Sequence, residues 1–408
     1  MSDLTHVPEP LSTSDAALVP EIDTVRQVHA RPYARRQRWL SMIDSAIGVL
    51  FLGAIFWTRA NLRLRDSLSA AGLVRWQPIA GWSPLLVAAI VMLFYTAYVV
   101  IVLPLTWYST FTLPHHYGLS HQPVRNWLAD QVKTFVLSGV LIVAVGEVLY
   151  LVLALQPLTW WLWLGAGLLV LTVLFANLAP IFLFPLFYKF TPLPEGELRD
   201  RLLALAQRAN ARVRGVYVMN MSSKTEQGNA ALMGLGPTRR IVIGDTILKH
   251  YTDDEISVIL AHELGHHVHR DIVKGIIFTT AVTLGGLALV NLGVQFAVTQ
   301  AHFGYHGVAD VAAFPLFVAV MGAYGLISGP LNNTFSRNIE RTADQYALDT
   351  TRDPANFISA FKRLANQNLA QVDPGPVIEA LFYSHPAISK RLLHAEQWRA
   401  SHAAEGRQ

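Results

Sequence analysis

Between Arg75 and Arg125 the chain contains no Asp, Glu, Lys or Arg. A stretch like this must sit in a protein core or in lipid. Its apolar part, about 84–106, is long enough to cross a bilayer as a helix. Comparable runs lie at about 42–58, 133–155, 158–185, 274–299 and 311–333, the third and fourth of the six split by Gln156-Pro157. Lipid cannot satisfy free backbone groups, so runs this continuous are expected to be helices, six spans in all. Composition agrees. Only 15 % of the 408 residues are charged, where a soluble domain carries about 25 %.

The first apolar run begins too far from Met1 for a cleaved secretory signal and reads as an uncleaved anchor. Residues 1–20 are expected to be disordered, and the segment after them is basic, with Arg26, Arg31, Arg35, Arg36 and Arg38. The turn at 156–158 and the loop at 300–310 lack Lys and Arg, whereas Arg337 and Arg341 follow the last span. The positive-inside rule then places both termini and the long 188–272 loop in the cytoplasm. Arg59, Arg63, Arg65 and Arg75 in the first loop dissent. The basic residues flank apolar runs rather than forming one patch, which argues against a nucleic-acid partner. Arg far outnumbers Lys, which suits a G+C-rich, bacterial source. With no cysteine in the chain, disulfides, Cys-ligated zinc and iron–sulfur clusters are excluded.

Within the long loop lies His262-Glu263-Leu264-Gly265-His266-His267, which contains His-Glu-x-x-His. On a helix His262 and His266 share one face, spaced to grip one Zn²⁺, with Glu263 beside them to take a proton from water held at the metal. The plain alternative is a His-rich surface helix. Thr252-Asp253-Asp254-Glu255 is a capping box, and Ile256, Ile259, Leu260 and Leu264 supply a helical apolar face, so a helix from 253 to about 268 is expected. Residues 195–211 read as another helix. Val213–Met219, Asn229–Leu232 and Arg240–Gly244 read as strands, the last two paired across the turn Gly234-Leu235-Gly236-Pro237. An exposed edge strand beside a metal helix could hold an extended peptide, though a merely structural hairpin fits equally.

A catalytic zinc needs a third protein ligand. Glu340, Asp344, Glu379 and His385 are the candidates. The economical assignment has Glu340 on the metal and Asp344, four residues on, accepting a hydrogen bond from a ligand histidine. A helix surface with two carboxylates is the competing reading. Glu147 is a lone carboxylate inside the third span, and either faces water or is bonded within the bundle.

Several segments together resemble the type I CAAX prenyl proteases, integral-membrane zinc metallopeptidases. They are Pro185–Gly196, Asn229-Ala230 with Ile241–Thr246, the His262–His266 motif with Ser336-Arg337 and the Glu340…Asp344 pair, and Ser384-His385-Pro386 with Arg391. In the N-terminal third, His116–Ser120 adds to them. The resemblance implies a mainly α fold, a polytopic membrane helix bundle with a gluzincin-like zinc metalloprotease domain carrying a small β-sheet. It implies one Zn²⁺ on His262, His266 and Glu340, and Glu263 as general base. His385 would contact substrate or the oxyanion, Asn229 and Arg391 would serve the substrate, and Glu147 would face a water-filled chamber. The family's eukaryotic members have seven spans against six here.

The chain is accordingly read as an N-terminal cytoplasmic segment 1–40, spans 1–4 in 41–187, a catalytic insert 188–272, spans 5–6 in 273–335, and a C-terminal segment 336–408 completing the zinc site. The expected activity is zinc-dependent endopeptidase action in a bacterial inner membrane, catalytic side cytoplasmic, on a peptide or protein substrate in contact with lipid. Prenylated C-termini and misfolded membrane proteins are both open as substrates. A metal-regulated transporter or channel, or an inactive scaffold, is the alternative. His267 is expected to stand outside the chemistry.

Overall fold

The structure is a computed structural model that describes residues 20–405, so the disorder expected for residues 1–20 lies outside it but for Pro20. In chain order the elements are α1 (Thr24–Thr58), α2 (Ala60–Ala70), α3 (Pro84–Trp107), α4 (Leu113–His116), α5 (Val124–Leu155) and α6 (Trp160–Leu178). Then come β1 (Phe190–Pro192), α7 (Glu197–Arg208), β2 (Val216–Met219), β3 (Ala230–Met233) and β4 (Arg240–Gly244). The rest is helical: α8 (Asp245–His250), α9 (Asp253–Val268), α10 (Asp271–Thr299), α11 (Phe314–Thr351), α12 (Pro354–Gln367), α13 (Pro376–Phe382) and α14 (Ile388–Glu405).

Among the described residues six helical stretches are long and apolar enough to cross a membrane, and each matches one of the six apolar runs, Trp160–Leu186 starting two residues inside the run 158–185. The helices outrun the apolar segments because their polar flanks stay helical, in α1 even across Pro32. α11 is the clearest case. Its apolar run ends near 333, and the span is expected to close by 335. Instead one helix of 38 residues continues through Pro330 to Thr351, so a membrane span itself delivers Glu340. The spans pack around Ile90, Val91, Tyr150, Trp160, Val290 and Val294, all fully or almost fully buried. Arg65 on α2 is buried and ion-paired with buried Asp310, which precedes α11. That pairing removes one of the dissenting charges of the first loop.

The insert forms a four-stranded sheet of order β1-β2-β4-β3. β2 and β4 are parallel and the outer pairs antiparallel. The expected pairing of 229–232 with 240–244 is present, with Ala230 opposite Ile243 and Leu232 opposite Ile241. β1 was not anticipated. Phe190-Thr191-Pro192 is too short to show alternation, and it is a strand because β2 offers it an edge. α9 is clamped from two sides. Ile256, Leu260 and Leu264 pack with Ile241 and Ile243 of the sheet, each buried apolar side chain contributing roughly 1.5–3 kcal/mol. Val258 and Ala261 pack against Ala347, Phe357, Phe361 and Trp398 of α11, α12 and α14.

Candidate metal centre

The start of α9 is the capping box read from the sequence. Thr252 Oγ1 accepts from the Glu255 amide at 3.2 Å, and Glu255 Oε2 accepts from the Thr252 amide at 2.9 Å. The other oxygen of Glu255 accepts from Arg363 Nε at 2.8 Å and from Ser359, tying the helix start to α12. An undistorted helix follows, and the rings of His262 and His266 stand 4.9 Å apart.

α11 closes on α9 at Gly265. A β-carbon there would lie 2.9 Å from Ala343 Cα, so glycine is what lets the two helices approach this closely. Glu340, one turn before Ala343, thereby meets both histidines: Oε2 is 3.2 Å from His262 Nε2, and Oε1 is 3.6 Å from His266 Nε2. One donor atom from each of the three residues lies within 4.8 Å of the others. Glu340 Oε2 is buried without a hydrogen-bond partner among the described residues. A buried carboxylate oxygen with no donor is costly, and a cation between two imidazoles relieves that cost. Two nitrogens and one carboxylate oxygen with room for a fourth ligand suit Zn²⁺. His267 stays outside the cluster.

The three donors are held from behind. His262 Nδ1 is 2.9 Å from Asp344 Oδ1, which keeps the Nδ1 proton in place and turns the Nε2 lone pair inward. Burial opposes charge on His262, but the Asp344 and Glu340 carboxylates facing its two ring nitrogens outweigh it and push its pKa up to about 9. His266 Nδ1 is 3.1 Å from Asp271 Oδ2, whose other oxygen takes Lys274 Nζ at 2.9 Å. Asp271 was not singled out from the sequence. It lies past a helix break at Arg270, whose φ of 56° turns the chain between α9 and α10, so no periodicity links it to His266.

Arg391 is 6 % exposed and makes a two-pronged pair with Asp344, Nε to Oδ2 at 2.8 Å. Its guanidinium also lies 3.8 Å from the centre of the Phe361 ring. The structure thus places this residue, expected beside the substrate, behind Asp344. His385 is 61 % exposed, with Nε2 at 3.3 Å from Glu340 Oε1. Glu263 is half-buried, and among the described residues nothing bonds its carboxylate. Asn229 is exposed at the head of β3, its carbonyl accepting from the Gly244 amide at 2.9 Å. β3 is an outer strand and runs beside α9.

Glu147 is not brought to this cluster. The 116–124 connection before α5 touches the insert through a Ser120–Thr225 bridge. Glu147 lies some 23 residues up α5, roughly 35 Å along the helix, where it accepts from the Trp82 indole at 2.8 Å. A separate, mainly apolar cavity of about 660 Å³ opens among the spans beside Phe51, Leu52, Phe94, Tyr98 and Phe314.

Comparison with known proteins covers both halves of the chain. The model of peptidase family M48 matches residues 192–399, and that of the CAAX prenyl protease N-terminal region, five membrane helices, matches residues 6–189. The metalloprotease YhfN of Bacillus subtilis, named as uncharacterized, is 32 % identical over 299 residues, 73 % of this chain and 70 % of that protein. CAAX prenyl protease 1 of Saccharomyces cerevisiae is 29 % identical over 310 residues, 71 % and 67 % of the two chains. The crystal structure of Ste24p from S. mikatae has the same fold, with TM-score 0.78 over 93 % of this chain and 92 % of that one at 24 % identity.

Proposed function

We propose a function that proceeds from one premise: this chain belongs to peptidase family M48. It is a multi-pass membrane zinc metalloendopeptidase of the CAAX prenyl protease type, acting on peptide or protein substrates. The residue roles are our reading, carried by one observation: the convergence of His262, His266 and Glu340, one donor atom of each lying within 4.8 Å of the others. These three hold the metal. When bound, Zn²⁺ polarises the scissile carbonyl and acidifies water. Glu263, adjacent on α9 and free of other bonds, accepts the proton of the attacking water and returns one to the leaving amine. His385, at the open side of the cluster, stabilises charge developing on the carbonyl oxygen. Asp344 and Asp271 orient the imidazoles of His262 and His266, and Arg391 holds Asp344. An extended peptide adds to β3 with its backbone read at Asn229, the main chain supplying affinity without a requirement on side chains.

We assign the catalytic side to the cytoplasm of a bacterial cell, in the inner membrane. The basic start of α1 supports this, because it docks on the catalytic half: Arg26 Nε donates to Asn366 O at 2.7 Å and Asn366 Oδ1 accepts from the Asp23 amide at 3.0 Å. Lipid surrounds the spans. Backbone recognition along β3 favours unmodified membrane or misfolded proteins as the natural substrates, with prenylated C-terminal peptides as the second reading. The purified protein should cleave an unmodified membrane substrate and lose that cleavage with a chelator. A protein that cleaves only the farnesylated peptide of a matched pair would overturn the assignment.

A further inference from the structure

His385 reaches the metal cluster from a segment without regular structure, the turn between α13 and α14. An exposed side chain on such a turn would ordinarily sample many positions, yet its Nε2 stands 3.3 Å from buried Glu340. Two buried charged residues account for this. Arg337 lies three residues before Glu340 on α11, hence on the same side of the helix, and is 7 % exposed. One of its guanidinium nitrogens donates to the carbonyls of Glu379 at 3.0 Å and Tyr383 at 2.7 Å, and the other to Thr334 Oγ1 at 2.8 Å. Glu379 is 4 % exposed. Its Oε1 accepts from the Ala387 amide at 3.1 Å, and Oε2 pairs with Lys390. The backbone is therefore gripped two residues before His385 by Arg337 and two residues after it by Glu379.

Burying an arginine and a glutamate costs several kcal/mol in desolvation, which only well-made partners offset. Among the described residues neither side chain hydrogen-bonds or ion-pairs with His262, His266 or Glu340. We propose that Arg337 and Glu379 are positioning residues for the hydrolytic reaction. Together they clamp the 383–387 turn so that the His385 imidazole is presented at the edge of the cluster. The proposal rests on the reading of His385 as a group that meets the substrate. It assigns a role to Glu379 other than metal ligand.

The test uses the full-length protein in nanodiscs. The chain has no cysteine, so S384C gives a single nitroxide label on the turn; it removes the Ser384 Oγ contact with His385 Nδ1 at 3.0 Å alike from the labelled parent and its variants, and activity is therefore read in unlabelled protein. The label should be immobilised in the parent. R337A and E379A should each add a mobile component, with R337K intermediate. In unlabelled protein the same substitutions should lower kcat by about 10- to 100-fold, as loss of orienting contacts does, with KM little changed and zinc still one per chain. R337A should add nothing to the loss already caused by H385A. The clamp is overturned if the label stays immobile in both R337A and E379A, if zinc is lost with activity, or if the losses of R337A and H385A multiply. A mobilised label together with a fully active H385A would support the clamp and sink the reading of His385 instead.

Discussion

The two halves of the metal centre are built in opposite ways. α9 supplies His262, Glu263 and His266 from five consecutive residues, and helix geometry alone sets their spacing. The other half comes from α11, α14 and the turn before it, and is assembled by the ion pairs of Arg391 with Asp344 and of Asp344 with His262, and by Arg337 donating to the Tyr383 carbonyl. The first half needs only a helix. The second needs α9 and α11 to meet at Gly265 and the C-terminal segment to fold back on both. Loss of Glu263 should therefore act on chemistry alone, whereas changes at the joint between the halves and at Asp344 should act on metal retention.

The largest effect tests the first half. Glu263→Gln should reduce peptide cleavage by about 10³-fold or more, at the upper end for loss of a general base, while zinc measured by mass spectrometry stays at one per chain. Near-normal cleavage would remove Glu263 from the chemistry. Next comes the joint between the halves. Gly265→Ala puts a methyl 2.9 Å from Ala343 Cα. Overpacking of this kind costs roughly 1–3 kcal/mol, so both the unfolding temperature and the zinc content should fall. If both match the parent, the halves do not depend on close helix contact.

Smaller effects separate the two histidines. Asp344→Asn should weaken zinc affinity about 10- to 100-fold in chelator competition. Asp271→Asn should weaken it less, because the His266 side chain is 22 % exposed against 8 % for His262 and water can replace the lost partner. Equal losses would contradict that difference. The smallest effect is a pH trend. With a pKa raised to about 9, the His262 proton stabilises the metal-free fold fully below the usual 6.5, and that stability is lost as pH rises through about 9. Zinc requires the neutral imidazole. The rise in unfolding temperature on adding zinc should accordingly grow between pH 6.5 and 9, and a flat or falling trend would speak against His262 as a ligand.

Much of the site was legible because its signals are local. The capping box, the i,i+4 histidines and the apolar face of α9 are all properties of a short helix, and the β3–β4 hairpin announces itself by a glycine-proline turn. The spans were legible because charge cannot be placed in lipid cheaply. Asp271 was not legible, since its partnership with His266 runs through a left-handed residue at a helix break. β1 was hidden because three residues carry no periodicity. The burial of Arg391 behind Asp344 could not be read either, because the two lie 47 residues apart and no local pattern pairs them.

The sequence by itself determined six apolar helices and a helix that puts two imidazoles and a carboxylate where a metal peptidase needs them, because hydrophobicity and helical periodicity act over a few turns. Only the tertiary structure decided that α11 is both a membrane span and the carrier of Glu340, that Gly265 sets the distance between the halves, and that Arg337, Asp344 and Arg391 are buried partners. The helix contact at Gly265 and the buried charges depend on groups dozens to more than a hundred residues apart meeting in space, and no local pattern encodes such pairings.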